Sequence, residues 1–276
     1  MRVLIFGATG MLGKALVRRW NKDEIIGLGS ADADLRNPEQ VQKVIADGRP
    51  DWIVLSAAYT DVDGCEINPT LATSINTYGP VNVASAAVRC GAKLLFFSTD
   101  YVFDGMKGTP YETSDVRNPI NAYGRSKAEA EQKLLQVLPQ ACIVRTSWLF
   151  GPGGKCFPDT ILKLAESRPE IKVVNDQRGS PTYTLDLADA TIKLCHAAAH
   201  GIVHATNQGD CTWYEFAAEI VKQSGGSTRV RPTTSTEFVR PAERPGYSVL
   251  SPQSLHSYGI EMPAWRQALQ AYLADK

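Results

Sequence analysis

Tyr123 and Lys127 stand four residues apart in the stretch "NPINAYGRSKAEAE" (118–131). On a helix that spacing puts both side chains on one face. An ammonium beside a phenol favours the phenolate and lowers its pKa, so the pair predicts a proton donor and acceptor working near neutrality. One strand–helix unit earlier, "FSTDYVFDG" (97–105) ends an apolar run on two hydroxyls, a carboxylate and a phenol. A strand end needs polar groups only to meet water, and four different ones in succession point to a bound ligand. Thr99 is placed to donate a hydrogen bond to a carbonyl oxygen, with Asp100 and Tyr101 reaching the ligand's hydroxyls.

A second set of residues lies at the start of the chain. "VLIFGATGMLGKAL" (3–16) spaces Gly7, Gly10 and Gly13 as G-x-x-G-x-x-G between an apolar run and a helical pattern. The turn needs glycine's conformational freedom, and a phosphate approaches the backbone only where no Cβ intervenes. The helix N-terminus then offers free N–H groups to a pyrophosphate. In "IIGLGSADADLRN" (25–37) no acid closes the second strand to hold a ribose 2′-hydroxyl. Leu28-Gly29-Ser30 leaves room for a 2′-phosphate, although Arg36 lies several residues beyond the obvious clamping position. The expected cofactor is NADPH, with NADH tolerated. Asp34 and Leu35 either flank the adenine or Asp34 is simply a turn residue.

The elements that must position these groups follow from hydrophobic patterning. Continuous apolar runs predict strands over 2–6, 24–28, 51–57, 93–99, 142–149 and 172–175, as expected for parallel strands covered on both faces. Helices are predicted near 11–20, 38–47, 69–90, 121–136 and 184–199, with Asn37-Pro38 as N-cap and first turn of the second. The fold class is therefore α/β: a doubly wound parallel (Rossmann-type) sheet with a smaller, mainly C-terminal lobe. The dinucleotide domain is expected over 1–150 plus roughly 171–204, and the substrate lobe over roughly 151–170 and 205–276. Within that lobe, helical patterns at 213–223 and 263–275 flank a Pro-, Arg-, Ser- and Thr-rich stretch, 226–262. The loop 100–120 is long, and its aromatic and proline content predicts a packed functional loop.

Lys+Arg 29 balances Asp+Glu 29 across 276 residues, which excludes a general nucleic-acid surface. The opening apolar run is too short for a signal segment or a membrane span, and no later run is long enough either. Six cysteines and four histidines show no metal-ligand spacing, so no metal is expected and most of the cysteines read as small buried hydrophobes in a reducing cytoplasm.

Together these stretches resemble the extended short-chain dehydrogenase/reductases and, among them, the dTDP-4-dehydrorhamnose reductases. The glycine array and Tyr-x-x-x-Lys mark the superfamily. More specific are "SAAYTDVDGCE" (56–66), "FSTDYVFDG", "VRTSWLFG" (144–151), "NDQRGSPTYTLDLA" (175–188) and "RPAERPGYSVLS" (240–251). A sugar-nucleotide dehydratase of the superfamily would carry an Asp-Glu pair after the strand-end Ser-Thr, where this chain has Asp100-Tyr101.

The resemblance implies reduction of the C4 keto group of dTDP-4-dehydro-6-deoxy-L-mannose to dTDP-L-rhamnose, the last step of dTDP-rhamnose synthesis. It implies that Tyr123 delivers the proton, Thr99 orients the oxygen and Lys127 keeps the tyrosine proton mobile. Gly7, Gly10, Met11, Leu12, Gly13, Asp34, Leu35, Ala57, Ala58 and Tyr59 would line the cofactor together with Tyr123 and Lys127. Val62, Asp100, Tyr101, Trp148, Gln177 and Arg244 would surround the sugar nucleotide, Arg244 suiting its diphosphate. For Trp148 the alternative is a core tryptophan, and for Arg244 a solvated loop arginine. One departure stands out: where relatives read Gly-x-Asn-Phe after "SWLFG", this chain has Lys155-Cys156-Phe157, without the amide. The alternatives are a reductase of another nucleotide-linked 4-ketosugar, or an idle NADP-binding regulator resembling the regulatory subunit of methionine adenosyltransferase. A homodimer is left open.

Overall fold

A computed structural model describes all residues, 1–276. The first half of the chain gives β1 (Arg2–Phe6), α1 (Met11–Arg19), β2 (Glu24–Leu28), α2 (Pro38–Gly48), β3 (Trp52–Leu55), α3 (Val62–Ile67), α4 (Pro69–Thr73), α5 (Gly79–Cys90), β4 (Lys93–Thr99), α6 (Ala122–Val137) and β5 (Cys142–Thr146). The second half gives β6 (Leu149–Phe150), α7 (Phe157–Ser167), β7 (Glu170–Val174), β8 (Arg178–Gly179), β9 (Thr182–Tyr183), α8 (Thr184–His196), β10 (Gly201–His204), β11 (Cys211–Thr212), α9 (Trp213–Gln223), β12 (Arg229–Thr233), α10 (Gln253–His256) and α11 (Trp265–Ala274).

Apolar side chains on both faces of the strands make the sheet the middle layer. Val3, Ile5, Trp52, Val54, Leu95, Phe97 and Val144 enter one core, which Leu12 and Leu16 of α1 and Leu187 and Leu194 of α8 cover. Leu4, Phe6, Ile53, Leu55, Leu94, Phe96 and Ile143 enter the other, beneath α2, α5 and α6. Each such buried side chain contributes about 1.5–3 kcal/mol. The six-stranded sheet has the order β10-β5-β4-β3-β1-β2, and every pairing is parallel. The chain moves outward from β1 to β2 and then returns to the other side of β1. This reversal opens a crevice at the carboxyl ends of β1 and β3, where doubly wound sheets bind ligands. The first core continues into the second lobe, because Phe150, Ile161, Phe216, Trp265 and Tyr272 belong to the same cluster as Val3.

Four elements differ from the sequence expectation. The strand expected at 172–175 is β7, which pairs with β12 outside the main sheet; the sixth sheet strand is instead β10, only four residues long. The strand expected over 142–149 stops at Thr146, because Trp148 takes a positive φ of 48° and turns the chain out of the sheet. The strand expected over 51–57 is confined to β3, residues 52–55. The single helix expected over 69–90 is α4, a π-helical turn at Ser74–Tyr78, and α5. The Gly79-Pro80 step explains the break, since proline offers no N–H to the helix ladder. The predicted N-cap is present: the Asn37 side chain accepts from the Glu39 and Gln40 N–H groups.

Candidate active site

At the nucleotide end, Gly7 turns the chain out of β1 at φ +83°. A Cβ on Gly13 would lie 2.0 Å from the Gly7 carbonyl, so only glycine lets α1 pack this closely on the turn. Gly10, the N-cap of α1, supplies no side-chain cap, which leaves the first N–H groups of the helix available to an anion. The π-helical turn serves the same wall. It carries Asn76 to the Tyr59 backbone, where the amide accepts from the N–H at 2.8 Å and donates to the carbonyl at 3.0 Å. Ser30, Asp34 and Arg36 lie at the far end of the wall, Arg36 ion-paired with Asp34 at 2.6 Å.

The chemical end is built where β4 stops beside the first turn of α6. Asn121 caps that helix, accepting from Gly124 N–H at 2.8 Å while its amide donates to the Glu243 carbonyl at 2.8 Å. Gly124 lets the turn press on Tyr101, since a Cβ there would sit 2.1 Å from the Tyr101 carbonyl. Tyr101 and Tyr123 meet edge to face, with ring centroids 6.2 Å apart. Thr99 and Tyr123 line the cleft together, and the Thr99 hydroxyl is the one group that favours the Tyr123 phenolate. Lys127 is buried, with its Nζ donating to the Phe97 carbonyl at 2.5 Å and standing 4.0 Å from the Phe96 ring centroid. Burial pushes this ammonium down to about 7, opposed by the charge of Glu131.

One expectation is overturned. The Tyr123 phenol is not lowered by its neighbour: burial first, then Asp100 and Cys65, push it above the usual phenol range, and only Thr99 pulls it back. Lys127 is turned to the Phe97 carbonyl, and its buried ammonium is itself close to losing its proton near pH 7.

A cleft of about 840 Å³ joins the two ends. Its walls include Gly7, Gly10, Met11, Leu12, Gly13, Asp34, Leu35, Ala57, Ala58, Tyr59, Val62, Thr99, Asp100, Tyr101, Tyr123, Lys127 and Trp148. Two expected residues are not brought to it. The Gln177 amide donates to Ser235 Oγ at 2.8 Å, and Arg244 is held by Asp63 at 2.6 Å and the Ala242 carbonyl at 2.5 Å. Asp100 lines the cleft but is 2% exposed, and each of its oxygens already accepts a hydroxyl, from Thr99 and from Ser248, so a sugar hydroxyl would have to share them. Trp148 stacks on Trp213 with centroids 3.5 Å apart, and both line the cleft. Cys156 does not line it: its thiol is buried 3.4 Å from the Tyr272 hydroxyl, so the missing amide is not replaced by the thiol at the ligand.

Sequence reasoning missed the network behind β4. Glu131 accepts two bonds from Arg145, at 2.9 and 2.7 Å, and one from Ser98 at 2.5 Å, all three residues being buried. Glu131 extends the spacing of four from Tyr123 through Lys127, a signal present in the sequence. Trp213 carried no such signal, because only the folded second lobe brings it to Trp148.

A dinucleotide fits the first half of the cleft. The uncapped helix start, the close glycine turn and the Ser30–Arg36 end match pyrophosphate and adenosine, and the remaining half is free for a second ligand next to Thr99 and Tyr123. The sequence model for the RmlD substrate binding domain matches residues 1–276. The chain belongs to this family. It therefore lies within the extended short-chain dehydrogenase/reductases, as the motifs implied. A probable dTDP-4,6-dihydroxy-2-methyloxan-3-one 4-ketoreductase of Streptomyces antibioticus is 42% identical, over 100% of this chain and 95% of that one. A dTDP-4-dehydrorhamnose reductase of Mycobacterium tuberculosis is 39% identical, over 99% of this chain and 92% of its own length. Among solved structures, the dTDP-4-dehydrorhamnose reductase of Bacillus anthracis in complex with NADP superposes with a TM-score of 0.97 at 40% identity, covering 100% of this chain and 99% of that one.

Proposed function

We propose that this RmlD-family protein is an NADPH-dependent dTDP-4-dehydrorhamnose reductase. It reduces the C4 ketone of dTDP-4-dehydro-6-deoxy-L-mannose to give dTDP-L-rhamnose, the last step of that sugar nucleotide's synthesis. The observation that carries the reading is the meeting of Thr99, Tyr123 and Lys127 in the cleft that the glycine turn closes at its other end. The relatives with reductase names, and the NADP-bound neighbour, support it.

When bound, NADPH supplies the hydride. The chain's residues do the rest. Tyr123 gives its proton to the alkoxide forming at C4; its raised pKa keeps the phenol protonated at neutral pH and makes it a donor that releases its proton only to a strong base. Thr99 helps to hold that oxygen. Lys127, bonded to the Phe97 carbonyl, fixes the end of β4 to α6 and keeps a positive charge near the site while it remains protonated. Val62, Tyr101, Trp148 and Trp213 form an apolar and aromatic wall suited to a 6-deoxysugar. Gln177 and Arg244 stay in the proposed substrate set, to be released from Ser235 and from Asp63 when substrate arrives. In the lobe division that goes with this reading, 1–150 plus roughly 171–204 serves the cofactor, and roughly 151–170 and 205–276 the sugar nucleotide. A cytoplasmic location is supported by six unpaired thiols and by the lack of any helix long and apolar enough to cross a membrane. A homodimer is kept as part of the proposal, to be read by sedimentation.

Following NADPH absorbance tests the reading. Oxidation is expected with the dTDP-linked 4-ketosugar and is lost at least about 100-fold in Tyr123→Phe, while NADPH binding persists. Equal or faster turnover of the UDP- or GDP-linked sugar would move the assignment to another nucleotide. Tight NADPH binding with no turnover of any ketosugar would make the protein a regulator.

A further inference from the structure

The Thr99 hydroxyl has one hydrogen and two lone pairs, and the structure uses them in a way that the reduction must reverse. Its hydrogen goes to Asp100 Oδ1 at 3.0 Å, and its oxygen accepts the Tyr101 N–H at 3.2 Å. So long as Asp100 is a carboxylate, that hydrogen points away from the cleft. A protonated Asp100 changes the direction: the acid donates to Thr99 Oγ1, and the Thr99 hydrogen becomes free for the Tyr123 oxygen or the substrate oxygen. This works only if the acid proton sits on Oδ1. The other oxygen, Oδ2, accepts the Ser248 hydroxyl at 2.5 Å. Both carboxyl oxygens accept a hydroxyl, but a proton on Oδ2 would turn the Ser248 hydrogen away from the one acceptor it has, whereas a proton on Oδ1 turns the Thr99 hydrogen toward Tyr123, so Oδ1 is the oxygen favoured to carry the proton.

We propose that Ser248 is a positioning residue for the reduction: by donating to Asp100 Oδ2 it places the acid's proton on Oδ1 and so aims the Thr99 hydrogen into the cleft. The inference rests on the reductase reading above. Ser248 is built for a fixed position. It is 1% exposed, its N–H donates to the Arg178 carbonyl at 2.8 Å, and Arg178 N–H donates back to the Gly246 carbonyl at 2.8 Å. The segment is also tied to α6, through Asn121 and the Glu243 carbonyl. A hydroxyl of the second lobe thereby reaches the end of β4.

Burial raises Asp100 to about 7, with Ser248 the first of the groups pulling it back, so both forms are present near neutrality. The titratable groups facing it are the phenols of Tyr101 and Tyr123, both held neutral by burial, with the Arg244 guanidinium behind Tyr101. Because the aimed state needs the proton, turnover falls as pH rises through the Asp100 pKa. Removing Ser248 removes a bond that favours the carboxylate, so it moves that fall to higher pH while it lowers the plateau.

The test compares kcat and KM across pH for wild type, Ser248→Ala and Ser248→Thr. Expected are a kcat about tenfold lower in the alanine variant, KM within about twofold of wild type, a descending limb shifted upward, and recovery of most of the loss in the threonine variant. An unchanged kcat, a loss seen only in KM, an unshifted limb, or a loss that threonine does not repair would overturn the proposal. Should Ser248→Ala fold poorly by circular dichroism, Asp100→Asn asks the same question. An amide of the same shape cannot titrate, so the neutral descending limb must become shallower, down to the single ionisation of Lys127, and an unchanged limb would refute the role. Wild-type turnover separates the two readings: without it the reductase assignment fails, and with it only the Ser248 role is at issue.

Discussion

At the scale of single residues, the site rests on groups whose ordinary properties burial has changed. Lys127 is the clearest, because its ammonium is out of water with a carbonyl as its hydrogen-bond partner. Its folded pKa of about 7 lies below the unfolded value of 10.5. Between those values the unfolded chain holds more protons, so this group's contribution to stability rises with pH across that window and is lost as pH falls through it. Lys127→Met removes the effect. Relative to wild type, the variant's melting temperature is expected to gain more at about pH 6 than at about pH 10, and an equal or opposite difference would show that the ammonium is solvated. The same burial explains why the pair was only half legible in the sequence. Spacing by four placed Tyr123 and Lys127 on one helix face, but it carried no information on the direction of the ammonium, which is set by the Phe97 carbonyl on another element. Asp100 is similar: its place at the strand end was readable, but its partner Ser248 lies 148 positions away.

At the scale of elements, the strand-to-helix turns do the positioning. Gly13→Ala tests the first of them. The added Cβ would meet the Gly7 carbonyl at 2.0 Å, so the turn and α1 must move apart. The expected cost is about 1–3 kcal/mol by urea denaturation, with NADPH affinity weakened at least tenfold in a titration, since about 1.4 kcal/mol of lost contact already gives that factor. Unchanged NADPH affinity would contradict the placement of the pyrophosphate on this turn. Elements with a strong local signal were legible: β1, β2 and β4 have the bounds that their apolar runs indicate. Elements decided by tertiary contacts were not. The run Gly201–His204 is too short to announce an edge strand, and nothing in residues 170–174 distinguishes a partner in the main sheet from β12. The π-helical turn at Ser74–Tyr78 was hidden for the same reason, as its purpose is seen only when Asn76 meets Tyr59.

At the scale of the whole molecule, the two lobes share one apolar core, and a buried ionic group stands behind β4, the strand that ends on Thr99. Glu131 and Arg145 are 0% and 1% exposed and joined by two bonds, with Ser98 and Arg117 also donating to the carboxylate. Arg145→Met leaves that carboxylate in a dry interior with too few donors. It is expected to lower the unfolding free energy by about 3–5 kcal/mol, whereas the double change Glu131→Leu with Arg145→Met recovers most of it. A loss under about 1 kcal/mol in the single variant would mean that water reaches the pair. The overall architecture was legible because alternating strand and helix patterns leave few topologies for a parallel sheet. The lobe that closes the cleft was less so, since its short strands and loops carry little periodicity.

The most direct measurement follows the hydride. NADPH carrying deuterium at its transferable position is incubated with the enzyme and the dTDP-linked 4-ketosugar, and the product is read by NMR. One deuterium is expected at C4 of a dTDP-L-rhamnose product, with none at C3 or C5. Label at another carbon, or label retained in the cofactor while the sugar is unchanged, would contradict it.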